Sequence, residues 1–190
     1  MPKIIIISSS IRTGRKSPRV VTYFKNYLET NALAFAEVVD LKDYNFPVFE
    51  ERLRFQKEPS AGMLDFSEKV KSADGVIIVT PEYNGGYPPA LKNAIDLLYE
   101  EWHCKPVAIA TVSDGAFGGA QVITSLQFTL WKMRAWTVPA MFPVPKVTET
   151  FSEAGVPADK EATDKRAKGF VGELLWCMEA KAKMTGSTPK

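Results

Sequence analysis

Short apolar runs alternate along the chain with stretches whose apolar residues recur every three or four positions. Ile4 to Ile7 is an unbroken branched run ending in serines, the pattern of a strand buried on both faces rather than one. Ser17 then precedes Pro18, an N-cap followed by proline at the first helical position, and Val20, Val21, Phe24, Tyr27 and Leu28 follow at helical spacing. Residues 34 to 41 predict a second strand. A long aromatic stretch, "KDYNFPVFEERLRFQKEP", separates it from a helical pattern over Ala61 to Ala73. "GVIIVT" at 75 to 80 predicts the third strand, 89 to 102 a helix, 106 to 113 the fourth strand and 119 to 134 another helix. A fifth strand is expected near 137 to 144, where prolines weaken central pairing. Residues 160 to 184 carry Phe170, Val171, Leu174, Leu175 and Met178 at helical intervals and predict a closing surface helix. The last six residues read as a frayed end.

Strands alternating with helices predict an α/β fold with a five-stranded parallel sheet covered by helices on both faces, because parallel crossovers are long and usually helical. Ligands of such sheets sit beyond the carboxyl ends of the strands, where the winding reverses. The loops after strands one, three and four are therefore the ones to inspect.

Composition narrows the field. The 190 residues are 45% hydrophobic and 24% charged, which fits one domain over 1–190. With 24 basic against 22 acidic residues the formal charge is +2, so no overall field favours nucleic acid or an anionic membrane. No apolar run approaches the ~20 residues of a membrane span. The apolar part of "MPKIIIISSS" is too short for a secretory signal and reads as the first strand. Cys104 and Cys177 are the only cysteines. They fit reduced thiols in a cytoplasmic protein better than a disulfide scaffold or a zinc site.

The first loop, "SSSIRTGRKSP", holds four serines, three cations and one glycine before a helix N-terminus. It reads either as a solvated basic turn or as an anion cradle, in which free N–H groups, hydroxyls and a guanidinium meet a phosphate. It is neither a Walker loop nor GxGxxG. The loop after strand four, "SDGAFGGAQ", has three glycines that let backbone approach a ligand. The loop after strand three, within "TPEYNGGYPPALKNAID", mixes two glycines with three prolines. Pro81 fixes its own φ, Tyr83 can stack, Asn84 tolerates a left-handed turn, and Gly85 and Gly86 keep the surface free of side chains. If the strand order is 2-1-3-4-5, the loops after strands one and three flank the reversal at which flavodoxin-like sheets hold FMN.

"SSIRTGRKSPRV", "PEYNGGYPPALKNAID" and "SDGAFGGAQ" together resemble the NADPH-dependent FMN reductase family, flavodoxin-like proteins that include quinone, azo-dye and chromate reductases. The resemblance spans roughly residues 3 to 145. "DLKDYNFPVF" at 40 to 49 is similar to a further family segment, with Phe46 in place of the usual leucine. The resemblance implies an FMN phosphate held by Ser10, Arg12 and Ser17, an isoalloxazine contacted by Pro81, Glu82, Tyr83 and Asn84, and Ser113, Gly115 and Gly118 on its other side. It implies a homodimer or homotetramer and a ping-pong reaction, in which NADPH or NADH reduces the flavin and a quinone, azo compound, free flavin or similar small acceptor reoxidises it. No side chain is expected to act as nucleophile. One departure is Ser9, where the family has glycine. Two other readings stay open: a flavin-binding redox sensor or carrier that acts through a protein partner, and a flavin-free domain on the same scaffold.

Other residues have plainer alternatives. Arg15 and Lys16 are either solvated charges or partners for the extra phosphate of NADPH. His103 is expected at the C-terminal end of the third helix, where the dipole favours a cation. Lys92 and Asp96 are spaced to pair along a helix. Glu82 and Asp114 suit either flavin tuning or turns. Trp102, Trp131 and Trp136 are expected in the core, with an interface or substrate wall as the alternative.

Overall fold

The computed structural model describes residues 1–184; the expected frayed end lies outside the described residues. Its sheet has five parallel strands, β1 (Lys3–Ser8), β2 (Phe35–Asp40), β3 (Gly75–Pro81), β4 (Pro106–Val112) and β5 (Trp136–Val144), in the order β2-β1-β3-β4-β5. This is the flavodoxin-like order. Helices α1 (Pro18–Thr30) and α7 (Lys160–Lys183) cover one face, and α3 (Ala61–Ser72), α4 (Pro89–Leu97) and α5 (Gln121–Lys132) the other. Single turns of helix, α2 (Leu41–Tyr44) and α6 (Val147–Thr150), follow β2 and β5.

The isoleucine run explains the central position of β1. Its side chains alternate, so Ile4 and Ile6 join the core under α1 and α7 while Ile5 and Ile7 join the core under α3 and α4. All four are fully buried. Burying each side chain contributes ~1.5–3 kcal/mol relative to exposure, and a polar residue at any of them would disrupt one core or the other. The prolines of β5 are tolerated because that strand is an edge, paired only with β4 through an irregular register between Val107 and Ile109. On its open side, α7 supplies partners: the Ala140 N–H donates to Glu173 Oε2 at 2.7 Å, and Arg166 donates to the Pro143 carbonyl at 2.6 Å.

The helix expected over 89 to 102 is shorter. α4 stops at Leu97 and a 3-10 turn covers Glu100–Trp102. Two side chains replace the backbone bond that would have continued it: Trp102 Nε1 donates to the Ile95 carbonyl at 3.2 Å, and Glu101 Oε2 accepts the Tyr99 N–H at 3.1 Å. Trp102 is thereby buried completely. His103 consequently lies beyond the end of α4, at the C-cap of the short 3-10 turn. Its ring meets Tyr99 edge-on at 4.8 Å, and its Nε2 is buried without a partner. Trp131 departs from expectation as well: it is 65% exposed and lies beside the exposed Phe128, ring centroids 5.7 Å apart. Trp136 is half-buried on β5.

Candidate active site

Parallel strands present all their carboxyl ends at one edge, and there the loops after β1, β3, β4 and β5 converge. They surround an open cavity of about 260 Å³. Its wall includes Ser10, Arg12, Ser17, Pro81, Glu82, Tyr83 and Ser113, seven of the ten residues expected to hold the flavin.

The first loop is shaped by what its serines leave undone. Ser17 precedes α1 but does not cap it: its backbone is itself helical, and its Oγ makes no capping bond. That oxygen is buried without a partner, as are those of Ser8 and Ser9. A buried hydroxyl left unpaired costs about 1–3 kcal/mol. Ser17 lies at a helix N-terminus whose N–H groups and dipole favour an anion. Arg12 and Lys16 are exposed on the same cavity wall. The donor set therefore fits a phosphate. Ser9, at the position where glycine was expected, is fully buried and is not on the cavity wall.

The loop after β3 closes as a miniature antiparallel hairpin. The Tyr83 N–H donates to the Gly86 carbonyl at 2.8 Å, and the Gly86 N–H returns to the Tyr83 carbonyl at 3.1 Å. Asn84 and Gly85 form its tip with φ of 53° and 82°, the left-handed geometry that asparagine and glycine tolerate. Pro88 and Pro89 then open α4, as expected. Two side chains anchor the hairpin to its neighbours. Tyr83 Oη is 2.7 Å from Ser10 Oγ, and Glu82 Oε2 accepts the Gln121 N–H at the start of α5 at 3.2 Å.

The fourth loop is tied to the fifth. The Val147 N–H donates to the Ser113 carbonyl and the Lys146 N–H to that of Gly115, each at 3.0 Å. Asp114 Oδ1 accepts the Thr148 N–H at 3.4 Å, and hydrogen bonding from the Thr148 side chain, then from its backbone, holds the Asp114 carboxyl below the usual carboxylate range. Asn84, Gly115 and Gly118 are not on the cavity wall. For Gly118 the reason is packing. With φ of 63°, it would set a Cβ 3.1 Å from Pro143 Cβ and 3.2 Å from the Val144 nitrogen, so its missing side chain makes room for β5.

Two features escaped the sequence reading. Val147, after β5, lines the cavity; proline-rich β5 hid the fact that its own carboxyl end reaches the same edge. Arg15 does not stand free beside Lys16. Its guanidinium makes a bidentate pair with Asp40, at 2.5 and 2.6 Å, and also donates to the Ser10 carbonyl at 2.6 Å. Lys92 and Asp96 do pair along α4, on its surface.

Comparison with known proteins agrees with this fold. Residues 2–149 match the NADPH-dependent FMN reductase family. An NAD(P)H-dependent FMN reductase of Schizosaccharomyces pombe is 34% identical over 187 residues, covering 92% of this chain and 90% of that protein. A quinone reductase of Pseudomonas putida is 38% identical over 122 residues, 61% of this chain and 62% of its own length. Among solved structures, the flavoenzyme NAD(P)H:(acceptor) oxidoreductase FerB of Paracoccus denitrificans superposes with a TM-score of 0.74 at 25% identity, covering 95% of this chain and 98% of that one. With the strand order and the phosphate-ready loop already in place, these matches show that the chain belongs to the NADPH-dependent FMN reductase family, oxidoreductases that work with FMN and NAD(P)H.

Proposed function

We propose that this protein is a ping-pong reductase that passes electrons from NAD(P)H to quinones, azo compounds, free flavin or similar flat acceptors in the cytoplasm. The observation that carries the reading is Ser17 Oγ, buried and unpartnered on the wall of a cavity that also holds Arg12, Lys16 and a helix N-terminus. When bound, FMN accepts two electrons and a proton from NAD(P)H and yields them to the acceptor. The protein binds and orients. Ser10, Arg12 and Ser17 hold the phosphate, and the hairpin at Pro81 to Asn84 presents main-chain groups and the Tyr83 ring to the isoalloxazine. Ser113 borders the other side, with Gly115 and Gly118 shaping the loop behind it. Quinone reduction then balances as NAD(P)H, a proton and quinone giving NAD(P)⁺ and hydroquinone.

The acting unit in this reading is a homodimer or homotetramer. A groove of about 670 Å³ beside α4, walled by Ile11, Leu41, Phe46, Val48, Phe49 and Ala90 among others, supports it. Ile11 is 50% and Val48 86% exposed on a single chain, apolar surface that a second copy would cover. Sedimentation of the purified protein tests this, and a monomer at micromolar concentration would overturn it.

Steady-state kinetics of the FMN-loaded protein test the activity. Parallel double-reciprocal lines for NADPH at several quinone concentrations are expected. Reduction by NADPH without sustained turnover would favour a redox sensor instead, and protein that stays colourless with added FMN would overturn the flavin reading altogether.

A further inference from the structure

Resting on the flavin reading, we propose that Asp40, by gripping Arg15, forms a latch that sets the affinity for the flavin phosphate without itself touching it. Asp40 ends β2 and is itself fixed. It pairs in register with Ser8 of β1, and its carboxylate accepts the Lys42 N–H at 3.1 Å as the N-cap of α2. Both of its oxygens then receive Arg15, whose Nη1 also reaches the Ser10 carbonyl. The two side chains are only 17% and 19% exposed, so water weakens the pair less than it would a surface bridge.

The latch closes a ring. From Ser10 the chain runs outward through Ile11 and Arg12, turns at Gly14 with φ of 70°, and returns by Arg15 to the carbonyl of Ser10. The Arg15 N–H adds a weaker bond to the Arg12 carbonyl at 3.4 Å. Ser10 is in turn bonded to Tyr83. The segment that presents Ser10, Arg12 and Ser17 is thus held from outside by a carboxylate on the neighbouring strand. A planar guanidinium grips both carboxylate oxygens with a fixed fork and reaches the Ser10 carbonyl as well, whereas a lysine at position 15 would offer a point charge without that fork.

Geometry and charge make opposite forecasts here. If only the field mattered, a carboxylate close to a phosphate site would weaken phosphate binding, and neutralising it would help. If the latch matters, neutralising it loosens the loop and harms binding. Asp40 is the positioning residue in this proposal: it lies off the cavity wall and acts through Arg15, which is on that wall.

The test titrates FMN and riboflavin into apo wild type, Asp40→Asn and Arg15→Lys, following quenching of flavin fluorescence. Thermal melts run alongside. Asp40→Asn is expected to weaken FMN ~10-fold and to leave riboflavin within about twofold, given the strength of charge-assisted bidentate pairs. Arg15→Lys, which keeps the charge and loses the fork, should lose a similar amount. Unchanged or tighter FMN binding in Asp40→Asn would overturn the latch, and so would equal losses for FMN and riboflavin. Wild type that binds neither compound would overturn the flavin reading itself. Should Asp40→Asn fail to fold, the FMN-to-riboflavin ratio of Arg15→Lys decides alone.

Discussion

Tyr83 Oη and Ser10 Oγ are 2.7 Å apart, so the loops after β1 and β3 meet through a single pair of hydroxyls at the edge of the sheet. Tyr83→Phe removes that bond and leaves the ring in place. A net loss near 1 kcal/mol is expected, read as a roughly fivefold weaker FMN dissociation constant with little change in melting temperature. Fluorescence titration measures it, and unchanged affinity would show that the bond does not help to form the site.

The two hairpin glycines should respond differently. A Cβ on Gly86 would meet only the Tyr83 carbonyl, at an ordinary 3.7 Å, whereas Gly85 has φ of 82°. Gly86→Val is therefore expected to keep the fold and reduce flavin or acceptor binding, because it fills space above the plate. Gly85→Val should cost ~1 kcal/mol or more in backbone strain before any ligand is considered. Denaturation midpoints and FMN titrations on the pair separate the effects.

Glu82 acts as a remote cap for α5 through the Gln121 N–H. Glu82→Ala frees that donor at an expected cost of about 1 kcal/mol, with Glu82→Gln milder because an acceptor oxygen remains. Faster amide exchange at residues 113 to 121 in Glu82→Ala, and not in Glu82→Gln, is the expected signature.

Lys105 immediately precedes β4, at the opposite end of the sheet from the cavity. Only 3% exposed, it donates to the carbonyls of Lys71 and Ala73 at the end of α3. Burial pushes its ammonium down from 10.5 to about 8, with Lys181 acting in the same direction and Asp74 against it. The folded chain thus gives up this proton at lower pH than the unfolded chain does. Between those two values the unfolded state binds more protons and stability rises with pH; below the folded value the contribution is gone. At full extent it is on the order of 3 kcal/mol. Urea midpoints should climb between about pH 8 and pH 10 in wild type relative to Lys105→Met, which lacks the titrating group. Parallel pH profiles for the two proteins would refute the assignment.

Gly155 admits no side chain. Its φ is 73°, and a Cβ would stand 2.8 Å from both the Arg19 carbonyl oxygen and the Tyr23 nitrogen of α1. Gly155→Ala is expected to cost about 2 kcal/mol, from strain and overpacking together. A fall in melting temperature with FMN affinity intact would confirm that this contact serves the fold alone.

The architecture was legible because its signals were local and repeated. Four consecutive isoleucines mark a strand buried on both faces, and Ser17-Pro18 and Pro88-Pro89 mark helix starts. The left-handed turn at Asn84 was legible for the same reason, since asparagine carries that geometry in its own chemistry; the hairpin that it closes was not. What the sequence hid were bonds between distant side chains. Nothing near Tyr99 announces that its N–H will turn to Glu101 while Trp102 takes the Ile95 carbonyl, so α4 looked longer than it is. Nothing near Arg15 points to Asp40, 25 positions on. Parallel pairing brings the two together by placing the end of β2 beside the end of β1. Gly118 was misleading in another way: a glycine in a ligand-facing loop looks like room for a ligand, yet the space it leaves is taken by β5.

The hairpin from Tyr83 to Gly86 is held by its own two backbone bonds and by anchors on two neighbouring loops. Most of what such a plate offers is peptide, and peptide is the same whichever residue contributes it. Drift among its outward side chains can leave the plate unchanged, whereas inserting one residue would tilt it and misalign every group at once. In this fold, then, the length of a four-residue turn is a stricter inheritance than its spelling, and a change of preferred acceptor would have to be written on the walls around it.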